Sequence, residues 1–249
     1  GTLTLNNGSS ITHGDNSTTA ENIVKIAANT MTLNSGASIN LDGKGYEGSK
    51  NGHQTGYGPG GGNYASLRGS GGANGGNGGI GSGSSPAGGI AYCDVTNPLD
   101  MGSGGGGIGE NNGGDGAGLA ILEITGTLTL DGTITADGTN GDMTGLSGDH
   151  DGGGAGGSIK IVADTITGTP DGFTLTGGNG DWTSDGGGGG GGCAYVQYTT
   201  ACTFGGTNCE ESIATINMNG GDGYQDGGAG VVYIKDSDNE NGDLFSVNN

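Results

Sequence analysis

Basic residues are nearly missing from this chain. Lys and Arg together number 6 against 26 acidic residues, for a formal charge of −20, and Arg68 is the single arginine. Partners rich in phosphate need clustered Lys and Arg, so nucleic acid and anionic lipid are not expected ligands. There are only 4 prolines and the glycines follow no strict three-residue period, which argues against a collagen helix. Aromatic residues make up 5% and apolar residues 29%, too little for a thick core, so a thin, elongated one is expected. No apolar stretch approaches the roughly 18 residues of a membrane-spanning helix, so no membrane span is expected. No charged-then-apolar leader stands at Gly1 and the chain opens inside a strand-like pattern, so a processed mature chain, or one given without its leader, is expected.

What is abundant is glycine, 66 of 249 residues, culminating in the seven consecutive glycines of "DGGGGGGGCAYVQY" from Asp185 to Tyr198. A free glycine run is entropically costly to order, so it reads as a linker unless its backbone is packed. Internal repetition decides for packing. From Leu119, "LAILEITGTLTLDGTITADGTNGD" gives two alternating strands and a Gly-rich turn; Ser158 and Cys193 open further copies, Val231 opens a shortened one, and Ile23 opens the same two-strand unit near the start. The unit recurs at about 37 residues, and each complete copy leads through a glycine run into the next strand. Alternation in Ile159/Ile161, Leu122/Ile124 and Val232/Ile234 gives each strand one inward face, with Lys160, Glu123 and Tyr233 outward. A two-strand unit cannot bury that face alone. The expected fold is therefore all-β: a right-handed parallel β-solenoid spanning residues 1–249 as one elongated domain. Packed polyglycine segments form its remaining wall, there is no significant helix, and a glycine-rich insertion falls at about 50–118. Ile90–Val95 is the expected strand of that insertion.

The unit "GTLTLDGTITADG" followed by "GGGGAGGSIKI" resembles the glycine-rich β-helix repeats of large prokaryotic surface and exported proteins, a class of adhesins and extracellular fibre components. The resemblance implies an extracellular or cell-surface location and a structural or adhesive role. No enzymatic role is expected, because Arg68, three scattered histidines (His13, His53, His150) and turn aspartates offer no catalytic constellation.

Gly1–His13 matches the second half of a unit and the C-terminal stretch from Val231 the first half. Head-to-tail self-assembly into a filament is expected from these halves, by β-pairing or strand complementation. Its candidate assembly residues are Thr2, Leu3, Thr4, Leu5 and Ile11 at one end and Val231, Val232, Ile234, Leu244, Phe245 and Val247 at the other. A monomeric adhesin that binds a cell surface or glycan is the alternative, followed by an ice-binding protein with Thr-x-Thr faces.

Cys202 and Cys209 flank a short turn-rich loop that a bridge could close, leaving Cys93 for Cys193; two other pairings are open, as are free buried thiols. Two disulfides would fit an exported protein. Asn7 and Asn16 begin glycosylation triplets. "GGNGDWTSD" and "GGDGYQD" resemble Gly-Gly-x-Gly-x-Asp calcium turns, although the longer repeat departs from the nine-residue rhythm of those proteins. Asp115, Asp142, Asp151, Asp181, Asp185, Asp222 and Asp226 are accordingly candidate Ca²⁺ ligands, because stacked carboxylates repel unless a cation or water separates them. His150, between Asp149 and Asp151, is a candidate metal or acid–base residue, with a solvated loop as the plainer reading. Tyr46, Tyr57, Tyr64, Tyr224 and Trp182 are candidate sugar-stacking residues, or covers for the open edge of a thin core or for the subunit contact. No Gly-x-Ser-x-Gly elbow or Walker loop occurs.

Overall fold

The computed structural model describes residues 1–50, 52–83, 87–107, 113–142, 150–181, 185–206, 208–209, 216–237 and 241–247. The strands in chain order are β1 (Thr2–Leu5), β2 (Ser10–Ile11), β3 (Val24–Ala28), β4 (Thr30–Leu33), β5 (Ser38–Asn40), β6 (Tyr64–Ala65), β7 (Arg68–Gly69), β8 (Leu119–Leu130), β9 (Thr133–Thr135), β10 (Ser158–Thr167), β11 (Gly172–Thr174), β12 (Cys193–Cys202), β13 (Gly230–Lys235) and β14 (Asp243–Val247). A 3-10 turn lies at Phe204–Gly206.

An eight-stranded sheet runs β1-β4-β8-β10-β12-β13-β14, with β3 also paired to β8; a second, four-stranded sheet runs β11-β9-β5-β2. Alternation dictates what lies between them. Leu3, Met31, Leu128 and Ile166 occupy one register column of the large sheet, and Ile39, Ile134 and Phe173 one of the small sheet. All but the partly buried Leu3 are buried, and all of them belong to one apolar cluster. Thr2, Thr30, Thr127 and Thr165, with Thr4, Thr32, Thr129 and Thr167, take the intervening positions, and hydroxyls bond across the ladder from Thr30 to Thr2 at 2.9 Å.

The all-β class holds, but the parallel solenoid does not. The strands form a mixed set of separate sheets, with β14 antiparallel to β13 and β6 antiparallel to β7. The glycine runs do not line up as one wall. Gly186, Gly189 and Gly192 face the 151–157 segment, Gly187 and Gly190 face 76–79, and Gly188 and Gly191 face 218–221, as the nearest atoms to a Cβ built on each show. This three-residue rotation is that of a polyproline-II-like chain. The 151–157 segment is treated likewise: Gly153 bonds to Gly187, Gly154 to Thr139, Ala155 to Ser103, Gly156 to Gly190, and it receives bonds from Gly72, Gly114 and Gly178. A strand has two hydrogen-bonding neighbours, whereas a chain without side chains admits neighbours on all sides, so these segments pack as a bundle. The 50–118 stretch is part of that bundle: its Gly62, Gly72, Gly79, Gly105 and Gly106 all donate to carbonyls of other segments. Ile90–Val95 is not a strand; its Tyr92 is held by bonds from the hydroxyl to the Met101 carbonyl and Ser103, and its Cys93 by a disulfide.

Candidate functional site

Three features carry chemistry: the sheet edges, the disulfides and a charged cluster at the ends of several glycine segments. At one end of the large sheet, among the described residues, β1 pairs only with β4, and β3 only with β8. At the other end β12 carries β13 along Cys193–Gln197, and β13 carries β14. Of the expected assembly residues, Thr2 and Thr4 are exposed, Leu3 and Ile11 half-buried and Leu5 buried. Val232 and Ile234 are core residues, Val231 is half-buried, Leu244 is exposed and Phe245 packs on the core from β14; Val247 pairs through its backbone with Gly230. The edge of β13 expected to be open is therefore filled from within the chain by β14. Sequence reasoning missed this because "DLFSV" is short and its antiparallel return leaves no mark in the period-2 pattern.

The outer face of the same sheet carries an ordered row that the alternation alone foretold only in part. Lys160, Tyr195, Tyr233 and Leu244 share one register; the two Tyr rings stack at 5.8 Å and Lys160 Nζ lies 5.9 Å from the Tyr195 ring centre.

Cys93 pairs with Cys193 and Cys202 with Cys209. The first bridge ties the glycine-rich 50–118 stretch, through Cys93, to the start of β12. The second closes a loop whose Phe204 and Cys209 sit with Ile166, Phe173 and Val196 around the core at the β12 end.

The charged cluster begins with a strained turn. Ser66 and Leu67, between β6 and β7, both have positive φ (53° and 69°), the backbone of a tight hairpin usually built from Asn or Gly. That turn aims Arg68, whose guanidinium meets Asp185 at 3.2 Å and whose Nε donates to Ser82 at 2.9 Å. His150 lies between two carboxylates, Nδ1 at 2.8 Å from Asp181 and Nε2 at 3.3 Å from Asp185. Its expected flanking partners are not those used: Asp149 lies outside the described residues, and Asp151 is fully buried and accepts the Asp181 N–H through its main-chain carbonyl. The cluster is a clasp across segments 68–69, 150–151, 181 and 185, built on the Arg68–Asp185 pair and the two carboxylate contacts of His150.

The other acidic candidates do not join it. Asp115 is half-buried and accepts from the Gly48 N–H at 2.8 Å; desolvation pushes its carboxyl above the ordinary carboxylate range against that bond. Asp226 accepts from Gly223 within its own turn, Asp222 is bonded through its main chain to Asn179 and Gly180, and Asp142 is half-exposed. Among the described residues no group of three or more His, Cys, Asp or Glu side chains is arranged to hold a metal ion.

Asn7 is exposed, whereas Asn16 is buried. The Asn16 amide donates to Asn22 and Lys44 carbonyls and its oxygen accepts from Glu21 and Asn22, so it is a structural residue with no room for a glycan. Tyr46 packs on Met101, Leu119 and Ile121; Tyr57 stacks on His53; Tyr64 is half-buried, Tyr224 exposed, and Trp182 lies outside the described residues. No helix of the described residues is long and apolar enough to cross a membrane.

No family model matches the chain, and no curated protein and no solved structure matches it.

Proposed function

We propose that the chain is a structural subunit of an extracellular homopolymer whose copies add end to end through the edges of the eight-stranded sheet. The observation that carries this reading is that, among the described residues, no strand pairs with the outer edge of β1 or of β3 at one end of that sheet, opposite an end where the short β14 is the last strand. A row of unpaired N–H and C=O groups is a template for another strand, and a contact between two different ends propagates unless rotation closes it into a ring. Two disulfides fit an oxidising compartment outside the cytoplasm. A charge of −20 on every copy opposes stacking, so divalent cations at the acidic turns, Asp222 and Asp226 among them, would favour assembly through screening or direct ligation.

Negative-stain electron microscopy of the purified chain, over a range of concentrations and in EDTA or millimolar calcium, tests the reading. Uniform fibres are expected, longer in calcium. Monodisperse short particles under every condition would remove the proposal and leave a monomeric glycan- or surface-binding role in its place.

A further inference from the structure

We propose that β14 is a displaceable guard strand, and that the edge of β13 it covers is the docking edge for β3 of a second copy of this chain. The inference rests on the fibre reading above and names its contact.

The large sheet has two lanes, because its long strands pair with different short strands along their two halves. The first half of β8, Ala120–Ile124, carries β3, and its second half, Leu128–Leu130, carries β4 and then β1. At the far end the first half of β12 carries β13 and then β14, while among the described residues no strand pairs with the outer edge of its second half, Thr199–Cys202. Among the described residues the lane of β1 thus has no further strand on either side. A second copy placed with its β1 on Thr199–Cys202 extends that lane in parallel, with Leu3 continuing the inward column in which Ile166 already faces Cys202.

Rigid placement then fixes the other lane. Within one copy β3 and β4 both pair with β8, so β3 stands one strand spacing inward of β1. When β1 of the second copy lies level with β13, its β3 falls one spacing beyond β13, and that position is held by β14. The two strands compete for one edge.

Their fitness for it differs. Each other pairing in the large sheet is parallel, whereas β14 alone is antiparallel. Leu244 of β14 is 57% exposed and Phe245 only partly buried. β3 presents Val24, Ile26 and Ala28 inward in the alternation that Val232 and Ile234 also follow, so it continues the core column. Held by β14, the edge resists pairing with unrelated strands; exchanged for β3, it commits to a copy of itself.

The test uses the full chain and three variants, with circular dichroism to confirm folding. Phe245→Asp, which weakens β14, is expected to shorten the lag of fibre formation several-fold. Val231→Cys with Ser246→Cys, a facing pair on the outer side of the sheet, staples β14 in place and is expected to abolish fibres, while each single substitution assembles like the parent. A benzophenone side chain in place of Thr2 is expected to cross-link to the peptide containing Thr199–Cys202. Fibres from the stapled chain at the parent rate, or cross-linking of position 2 elsewhere, overturn the guard strand while leaving the fibre reading intact. If Phe245→Asp unfolds, the staple decides. Parent and Phe245→Asp chains that both stay monomeric would sink the two together.

Discussion

The strand half and the glycine half of this molecule bury the chain by opposite means. In the strands, backbone pairs with two neighbours and side chains fill the interior: Met31, Leu33, Leu122, Leu128, Leu130 and Ile134 are essentially inaccessible. In the glycine bundle the backbone itself is the interior. A Cβ on Gly188 would stand 1.8 Å from the Gly221 carbonyl oxygen and one on Gly71 1.9 Å from that of Gly188, well inside contact distance. The apolar content, too small for a thick core, is therefore sufficient, because in the glycine bundle backbone takes the place of side chains in excluding water.

The widest separation between the halves should come from the disulfides. Cys93–Cys193 spans 100 residues and ties a glycine-rich stretch to a strand, whereas Cys202–Cys209 spans 7 within the strand half. Loop-closure entropy gives about 4–5 kcal/mol for the first and about 2–3 for the second. Replacing Cys93 and Cys193 together by Ser should lower the thermal midpoint clearly more than the same change at Cys202 and Cys209. Equal losses would mean that the bundle is held by its hydrogen bonds alone.

Substitution inside each half sharpens the contrast. Leu128→Ala should cost about 2–5 kcal/mol through lost burial and the cavity left behind. Gly188→Ala adds a single carbon, yet should cost about 1–3 kcal/mol or more, because the atoms it meets are backbone with no rotamer to yield. Gly14 is the control: its added Cβ would find only the Asn22 side chain, at 3.6 Å and its φ lies outside the positive range. Gly14→Ala should be neutral or stabilise by about 0.4–1 kcal/mol through the unfolded chain. Urea titrations of the three variants check the order, and a silent Gly188→Ala would show that the bundle is loosely packed.

The two halves were also unequally legible. Alternation in Ile159/Ile161 and Val232/Ile234 marked strands and their inward faces because a side chain reports its surroundings. Gly186–Gly192 reports nothing, since all three faces of that segment meet backbone and every position is forced to the same residue. The period of three becomes visible only in coordinates, or where a face can hold a methyl or hydroxymethyl, as at Ser70 and Ala73, which are both buried. The clasp was half legible: His150 and the aspartates stood out by type, but Asp181 and Asp185 reach it from segments that only the bundle brings together. The Cys93–Cys193 pairing emerged by elimination, without any sign of where the two chains meet.

The mildest expected effect is on pH dependence, where two desolvated groups tilt stability in opposite directions. His13, buried where the two sheets give way to the bundle, has its pKa lowered, chiefly by desolvation and only partly offset by its bond to the Gly14 carbonyl. A Cβ on Gly118 would meet His13 Nε2 at 2.3 Å, which leaves little room for a solvated imidazolium. Its neutral form favours folding above the ordinary histidine range near 6.5, and that contribution is lost as pH falls through the folded value. Asp115, against the glycine segment at Gly48, has its carboxyl pushed up by burial, so its contribution is complete below the ordinary value of 3.8 and is lost as pH rises through the folded one. His13→Gln should therefore flatten the thermal midpoint just below pH 6.5, and Asp115→Asn should flatten it just above pH 3.8. Measuring each variant against the parent across both windows cancels the exposed carboxylates common to all three chains. A slope of the same sign removed by both substitutions would contradict desolvation as the shared cause of the two shifts.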